Sequence, residues 1–133
     1  MARLEKIRVF IVEDHAVVRE GLIALLSSVD GIEVVGSGKD GKEAVSLYAS
    51  LAPDVTLMDL QMPVMRGVEA IQEIRRTTPT ARFIVLTTFD GDEDIYRAMQ
   101  AGAKAYLLKG MGIEELVQAI QTVHAGRGRM ASR

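Results

Sequence analysis

The chain has 133 residues, with 16 Lys and Arg against 18 Asp and Glu, and it contains no cysteine. This length suits one compact domain, and a hydrophobic fraction of 48% supplies enough apolar side chains for a continuous core. The absence of cysteine excludes disulfides, thiolate metal sites and a cysteine nucleophile. The net charge of −2 argues against electrostatic binding of DNA by this segment, and no apolar run approaches the ~20 residues that span a bilayer. We therefore expect a cytoplasmic protein that binds no membrane.

Short apolar runs rich in β-branched residues alternate along the chain with segments of helical spacing. In chain order these are strand 7–12, a helix with Val18, Leu22, Leu25 and Leu26, strand 32–35, a helix with Ala44, Val45, Tyr48 and Leu51, strand 55–58, a helix with Val68, Ile71 and Ile74, strand 83–86, a helix with Ile95, Ala98 and Met99, strand 105–108, and a helix with Ile113, Leu116, Val117 and Ile120. The strand runs are too continuous for one exposed face, and each helix has one apolar stripe. Such alternation predicts an α/β fold in which helices cover both faces of a parallel sheet.

The last seven residues differ in composition from the rest of the chain. Residues 127–133 are small and basic, and they have no periodicity. We expect a single domain over residues 4–126, followed at 127–133 by a tail or the start of a linker to a part that this chain lacks.

Polar residues follow the predicted strands at their carboxyl ends, where open α/β sheets carry their functional crevice. Glu13 and Asp14 follow the first strand, Asp59 the third, Thr87 the fourth and Lys109 the fifth. Two like charges 4 Å apart repel by roughly 4 kcal/mol at an effective dielectric of about 20, so clustered carboxylates require cations. Lys109 supplies one positive charge, and all-oxygen ligands suit Mg²⁺ better than zinc.

Each of these residues also has an ordinary structural explanation. Asp59 could begin a turn, Glu13 and Asp14 could cap the following helix, and a lone Lys109 could be solvated. Their coincidence at four strand ends favours a site.

The histidines and the acidic run near residue 92 carry weaker signals. His15 and His124 are far apart in sequence, so we expect His15 in a loop or first helical turn and His124 near a helix end, neither of them catalytic. The acidic run 90–94 lacks the spacing of a calcium loop, and we interpret it as helix capping.

Four segments together resemble bacterial two-component response-regulator receiver domains. They are Val12-Glu13-Asp14-His15, the run Leu-Met-Asp-Leu-Gln-Met-Pro at 57–63, Leu86-Thr87-Thr88, and the stretch from Ala101-Gly102-Ala103 to Tyr106-Leu107-Leu108-Lys109. The residues at Glu13-Asp14-His15 and from Tyr106 to Gly110 are most similar to the NarL/FixJ subfamily, whose members carry a LuxR-type helix-turn-helix. The resemblance implies a doubly wound, CheY-like (flavodoxin-like) five-stranded sheet of order 2-1-3-4-5 with five helices.

The resemblance also implies a chemistry. Asp59 would accept a phosphoryl group from a phosphohistidine of a sensor histidine kinase. Glu13, Asp14, Asp59 and the backbone carbonyl of Gln61 would hold Mg²⁺, while Lys109 would pair with the phosphoryl oxygens. The protein would catalyse only its own phosphorylation and dephosphorylation.

A second group of residues is implicated in the response to phosphorylation. Thr87 would hydrogen-bond to the phosphoryl group, and Tyr106 would move inward as Thr87 shifts. Gln61 and Phe89 would tune the phosphoryl lifetime. We expect the output to be homodimerisation, and control of transcription through a DNA-binding domain that this chain does not contain.

Two residues depart from the family pattern, and two other functions stay open. Arg66 stands where acidic or small polar residues are frequent, and Gly110 follows Lys109 where many receivers have proline. One alternative is a stand-alone interaction module that is not phosphorylated. The other is an aspartyl-phosphate phosphatase of the haloacid-dehalogenase type, although such enzymes usually have a second aspartate where this chain has Gln61.

Overall fold

The computed structural model of the protein describes residues 5–88 and 92–126. Phe89 and the predicted linker 127–133 lie outside these residues, so both expectations stay predictions. The strands are β1 (Ile7–Val12), β2 (Ile32–Gly38), β3 (Val55–Asp59), β4 (Phe83–Thr87) and β5 (Ala105–Leu108). The helices are α1 (Ala16–Ser27), α2 (Gly41–Leu51), α3 (Gly67–Thr77), α4 (Asp92–Ala101) and α5 (Ile113–His124).

The described strands form one parallel sheet in the order β2-β1-β3-β4-β5. This order confirms the predicted fold class and strand arrangement. From β1 the chain adds β2 on one side of the sheet and then adds β3, β4 and β5 on the other side. In sheets of this kind the crevice lies beyond the carboxyl ends of the two strands where the direction changes, here β1 and β3.

Successive residues of each strand point into opposite layers of the core. In β1, Phe10 and Val12 pack into the layer that contains residues of α2, α3 and α4, whereas Val9 and Ile11 pack into the layer that contains residues of α1 and α5. All four side chains are fully buried. The two-sided burial explains why the strand runs are continuously apolar.

Strand β2 is longer than the apolar run 32–35 predicts. A register shift between Val9 and Phe10 lets β1 continue along Gly36, Ser37 and Gly38, and Val12 pairs with Gly38. These small residues give no apolar signal, so the sequence pattern misses the end of the strand.

Helix α1 buries less of its predicted stripe than expected. Leu26 is buried and Leu22 packs against the core, but Val18 is exposed and Leu25 is 51% exposed. Leu25 lies about 100° around the helix from the buried Leu26, which turns it away from the sheet. Ile23 lies only about 60° from Leu26 and packs against the core instead. Among the described residues, no helix has the length and apolar character needed to cross a membrane.

Candidate functional site

The strand register brings the predicted site residues to one edge of the sheet. Val12 of β1 pairs with Met58 of β3 in parallel register. The residues that follow them, Glu13 and Asp59, therefore lie side by side at the carboxyl ends of the two strands. Asp59 is opposite Leu86 in β4, one residue before Thr87. Lys109 follows the last residue of β5, and its backbone N–H donates to the carbonyl of Thr87 at 2.6 Å.

Lys109 bridges two buried carboxyl groups. Its Nζ lies 2.8 Å from Oε1 of Glu13 and 3.3 Å from Oδ2 of Asp59. The Glu13 side chain is fully buried, and the side chains of Asp59 and Lys109 are 2% and 16% exposed. One cation therefore stands against two buried carboxyl groups, with Asp14 close by.

The environment of Asp59 shifts its ionisation strongly. Burial, a hydrogen bond with the side chain of Asp14 and the charge of Glu13 raise the pKa of Asp59 from 3.8 to about 7. Lys109 and the backbone N–H of Gln61 act in the opposite direction. Burial alone would lower the pKa of Lys109, but its contacts with Glu13 and Asp59 outweigh burial, so the pKa is raised and the side chain stays an ammonium.

The carboxylates have unused capacity for a metal. One buried oxygen from each of Glu13, Asp14 and Asp59 has no hydrogen bond of normal geometry among the described residues, although Lys109 lies within ion-pair distance of two of them. Hard oxygen donors that are buried and incompletely paired suit a divalent cation such as Mg²⁺. The donor set thus fits the metal that the sequence predicts.

Gln61 joins the site to helix α4. Its backbone N–H donates to Oδ1 of Asp59 at 3.3 Å, and its side-chain amide donates to Oδ2 of Asp94 at 2.7 Å. Nη2 of Arg66 lies 4.0 Å from the same Asp94 oxygen. The acidic run 90–94 is typical of helix capping, and nothing in its spacing predicts this contact of Asp94 with Gln61.

Gly67 fixes the start of α3 against the end of β3. A Cβ on Gly67 would collide with the carbonyl oxygen of Asp59, and it would lie 2.9 Å from Cα of Leu60. Only glycine allows this approach, which holds the backbone of Asp59 in place.

His15 and Arg19 are two further neighbours of the site that the strand-end pattern does not predict. Nδ1 of His15 lies 3.2 Å from Oε2 of Glu13 and 3.3 Å from Oδ1 of Asp14. Nη1 of Arg19 donates to the backbone carbonyl of Glu13 at 2.8 Å. His15 does lie at the start of α1, as expected. The sequence signal for a contact between His15 and the carboxylates is its position directly after Glu13 and Asp14.

The predicted switch residues lie on β4 and β5, the two strands whose carboxyl ends lead to Thr87 and Lys109. Thr87 is buried at the end of β4, and Tyr106 of β5 is half-buried against the core layer of α2, α3 and α4. The peptide bond between Lys109 and Gly110 is trans, and Gly110 has φ of +98°. The inward movement of Tyr106 stays a prediction.

A family model described as the response regulator receiver domain matches residues 9–121. Response regulator GacA of Pseudomonas aeruginosa is 42% identical over 121 residues, which cover 91% of this chain and 56% of that protein. Transcriptional regulatory protein LiaR of Bacillus subtilis is 42% identical over 127 residues, which cover 96% of this chain and 60% of that protein. The chain therefore spans less than two thirds of the length of these relatives.

Solved structures with the same fold include a LuxR-family two-component response regulator from Aurantimonas sp. SI85-9A1. It has a TM-score of 0.89 and 38% identity, covering 96% of this chain and 91% of that chain. The signal receiver domain of the putative response regulator NarL from Mycobacterium tuberculosis has a TM-score of 0.87 and 35% identity, covering 92% of this chain and 99% of that chain.

Proposed function

Because the chain belongs to the response regulator receiver family, we propose that Asp59 accepts a phosphoryl group from the phosphohistidine of a sensor histidine kinase. The observation that carries the proposal is the position of Asp59 at the carboxyl end of β3, buried and 3.3 Å from the ammonium of Lys109. In the reaction an Asp59 carboxylate oxygen attacks phosphorus, the phosphorus–nitrogen bond breaks, and the kinase imidazole leaves. Such transfer depends mainly on positioning and charge neutralisation, and Lys109 contributes one of the positive charges that it needs.

The residues around Asp59 take complementary roles. Lys109 pairs with phosphoryl oxygens, and the Thr87 hydroxyl donates to one of them. Glu13, Asp14, Asp59 and the Gln61 carbonyl would hold Mg²⁺. When bound, the metal supplies positive charge that favours ionised Asp59 and offsets the phosphoryl oxygens.

We assign the output to a conformational change that favours a homodimer in the cytoplasm. The matched relatives include a transcriptional regulatory protein and a LuxR-family regulator, and this chain covers 60% or less of the curated relatives described above. The corresponding proposal is control of transcription through a DNA-binding domain outside this chain.

Stoichiometric labelling separates this function from its two alternatives. With acetyl phosphate and Mg²⁺ the protein should gain one phosphoryl group and should not turn over p-nitrophenyl phosphate. Multiple turnovers of the ester would identify a phosphatase. If the protein is not labelled and does not turn over the ester, it is an interaction module that is not phosphorylated.

A further inference from the structure

The turn between β1 and α1 directs an imidazole at the carboxylates of the proposed cation site. Oε1 of Glu13 faces Lys109, whereas Oε2 accepts from the backbone N–H of His15 at 3.1 Å and lies 3.2 Å from its Nδ1. His15 is also the N-cap residue of α1, yet its ring makes no capping hydrogen bond. The ring contacts the acids instead of the helix.

The spacing of these atoms suits metal ligation. Neighbouring ligands of a six-coordinate cation lie about 3 Å apart when each bond is about 2.1 Å long. Nδ1 of His15 lies 3.2 Å and 3.3 Å from oxygens of Glu13 and Asp14. One ligand atom from each of His15, Glu13, Asp14 and Asp59 can be chosen so that all lie within 4.8 Å of one another.

A second observation points to a cation at this position. Oδ2 of Asp59 and Oδ1 of Asp14 are buried and make no hydrogen bond of normal geometry among the described residues. The charged groups near them are the Lys109 ammonium, 3.3 Å from the Asp59 oxygen, and the His15 ring, 3.3 Å from the Asp14 oxygen, so three carboxyl groups share one permanent cation. Asp59 is only 2% exposed, so solvent does little to offset its charge. A cation held between these oxygens would lie beside the His15 ring.

We propose that Nδ1 of His15 is a nitrogen ligand of this site, which increases its preference for transition cations such as Co²⁺ over Mg²⁺. The inference rests on the proposed Mg²⁺ site and adds one donor atom to it. Imidazole nitrogen binds first-row transition cations well, whereas Mg²⁺ prefers oxygen and water. The ring coordinates in its neutral form, with its proton on Nε2.

Calorimetric titration of the protein with Co²⁺ and with Mg²⁺ tests the assignment. His15→Ala should weaken Co²⁺ binding about tenfold and change Mg²⁺ binding by less than about twofold. His124→Ala removes the chain's other histidine and should change neither affinity.

A spectroscopic measurement distinguishes ligation from a hydrogen bond to the carboxylates. The Co²⁺-loaded wild type and His124→Ala should show a hyperfine-shifted imidazole N–H proton resonance that is absent in His15→Ala. Equal weakening of both cations in His15→Ala, or an unchanged Co²⁺ affinity, would overturn the inference while leaving the proposed function standing. A wild type that binds no Mg²⁺ would contradict both. Because the His15 side chain is 69% exposed, the variants should unfold at the wild-type temperature.

Discussion

The buried carboxyl group of Asp59 makes the stability of the metal-free protein depend on pH. Its pKa is about 7 in the folded protein against an ordinary 3.8. The folded state therefore binds this proton more tightly than the unfolded state does. The resulting stabilisation is fully present below about pH 4 and is lost as the pH rises to about 7.

The variant Asp59→Asn should lack this pH dependence. Without metal, its free energy of unfolding minus that of wild type should increase between pH 4 and 7 and then level off. The increase should reach a few kcal/mol, since one pKa unit corresponds to about 1.4 kcal/mol. Urea denaturation at several pH values measures it, with Asp54→Asn as the control at the opposite end of β3. A difference that stays constant with pH would contradict the assignment.

Lys109 should matter for folding as well as for phosphorylation. The variant Lys109→Met leaves the fully buried Glu13 without its ammonium partner, which should cost about 3 kcal/mol of stability. Lys104→Met removes an exposed lysine just before the other end of β5 and should cost little. Equal thermal stability of the two variants would show that the Lys109–Glu13 pair does not stabilise the fold.

The loop after β3 connects Asp59 to helix α4. The link is the hydrogen bond between Gln61 and Asp94, supported by the nearby Arg66. The Gln61 side chain is exposed and Asp94 is half-buried, so the contact adds little to global stability but restrains the position of the helix.

The variant Asp94→Ala should therefore loosen α4 without unfolding the protein. We expect faster amide hydrogen exchange in the first turns of α4 and unchanged exchange in α5. Glu93→Ala provides the control, because its described contact is the exposed pair with Arg97 on the same helix. Identical exchange in the two variants would rule out a restraint through Gln61.

The same elements show what local sequence patterns can predict. The apolar runs predict the boundaries of β1 and β5 directly. The positions of Asp59 and Lys109 at the ends of predicted strands are enough to select both as candidate site residues. The contact between Gln61 and Asp94 joins residues 33 positions apart, so no local period reveals it. The position of His15 was predictable, but the direction of its ring depends on the turn after β1.

Under the proposed function, phosphorylation of Asp59 has to change a surface of the molecule that a partner can contact. A phosphoryl group on Asp59 adds about −1.5 to −2 charges and three acceptor oxygens next to Lys109 and Thr87. Thr87 and Tyr106 lie on adjacent strands, and the half-buried Tyr106 packs against the layer that contains α4. A shift of a few kcal/mol between two arrangements is enough to change the dominant state.

A beryllofluoride complex, which mimics the phosphoryl group, should therefore shift the protein towards a homodimer. Sedimentation should show an increase in mass for wild type that is lost in Thr87→Ala, whose Asp59 still accepts phosphate. The exposed neighbour variant Thr88→Ala should dimerise like wild type. A monomer under all conditions would reject self-association, and a Thr87→Ala dimer would reject the relay through Thr87.

Intact-mass spectrometry after incubation with acetyl phosphate and Mg²⁺ shows whether Asp59 alone accepts the phosphoryl group. Wild type and Asp54→Asn should each gain the mass of one phosphoryl group, and chelation of the metal should suppress the gain. Asp59→Asn should gain none. An adduct of the same mass and yield on Asp59→Asn would contradict the account.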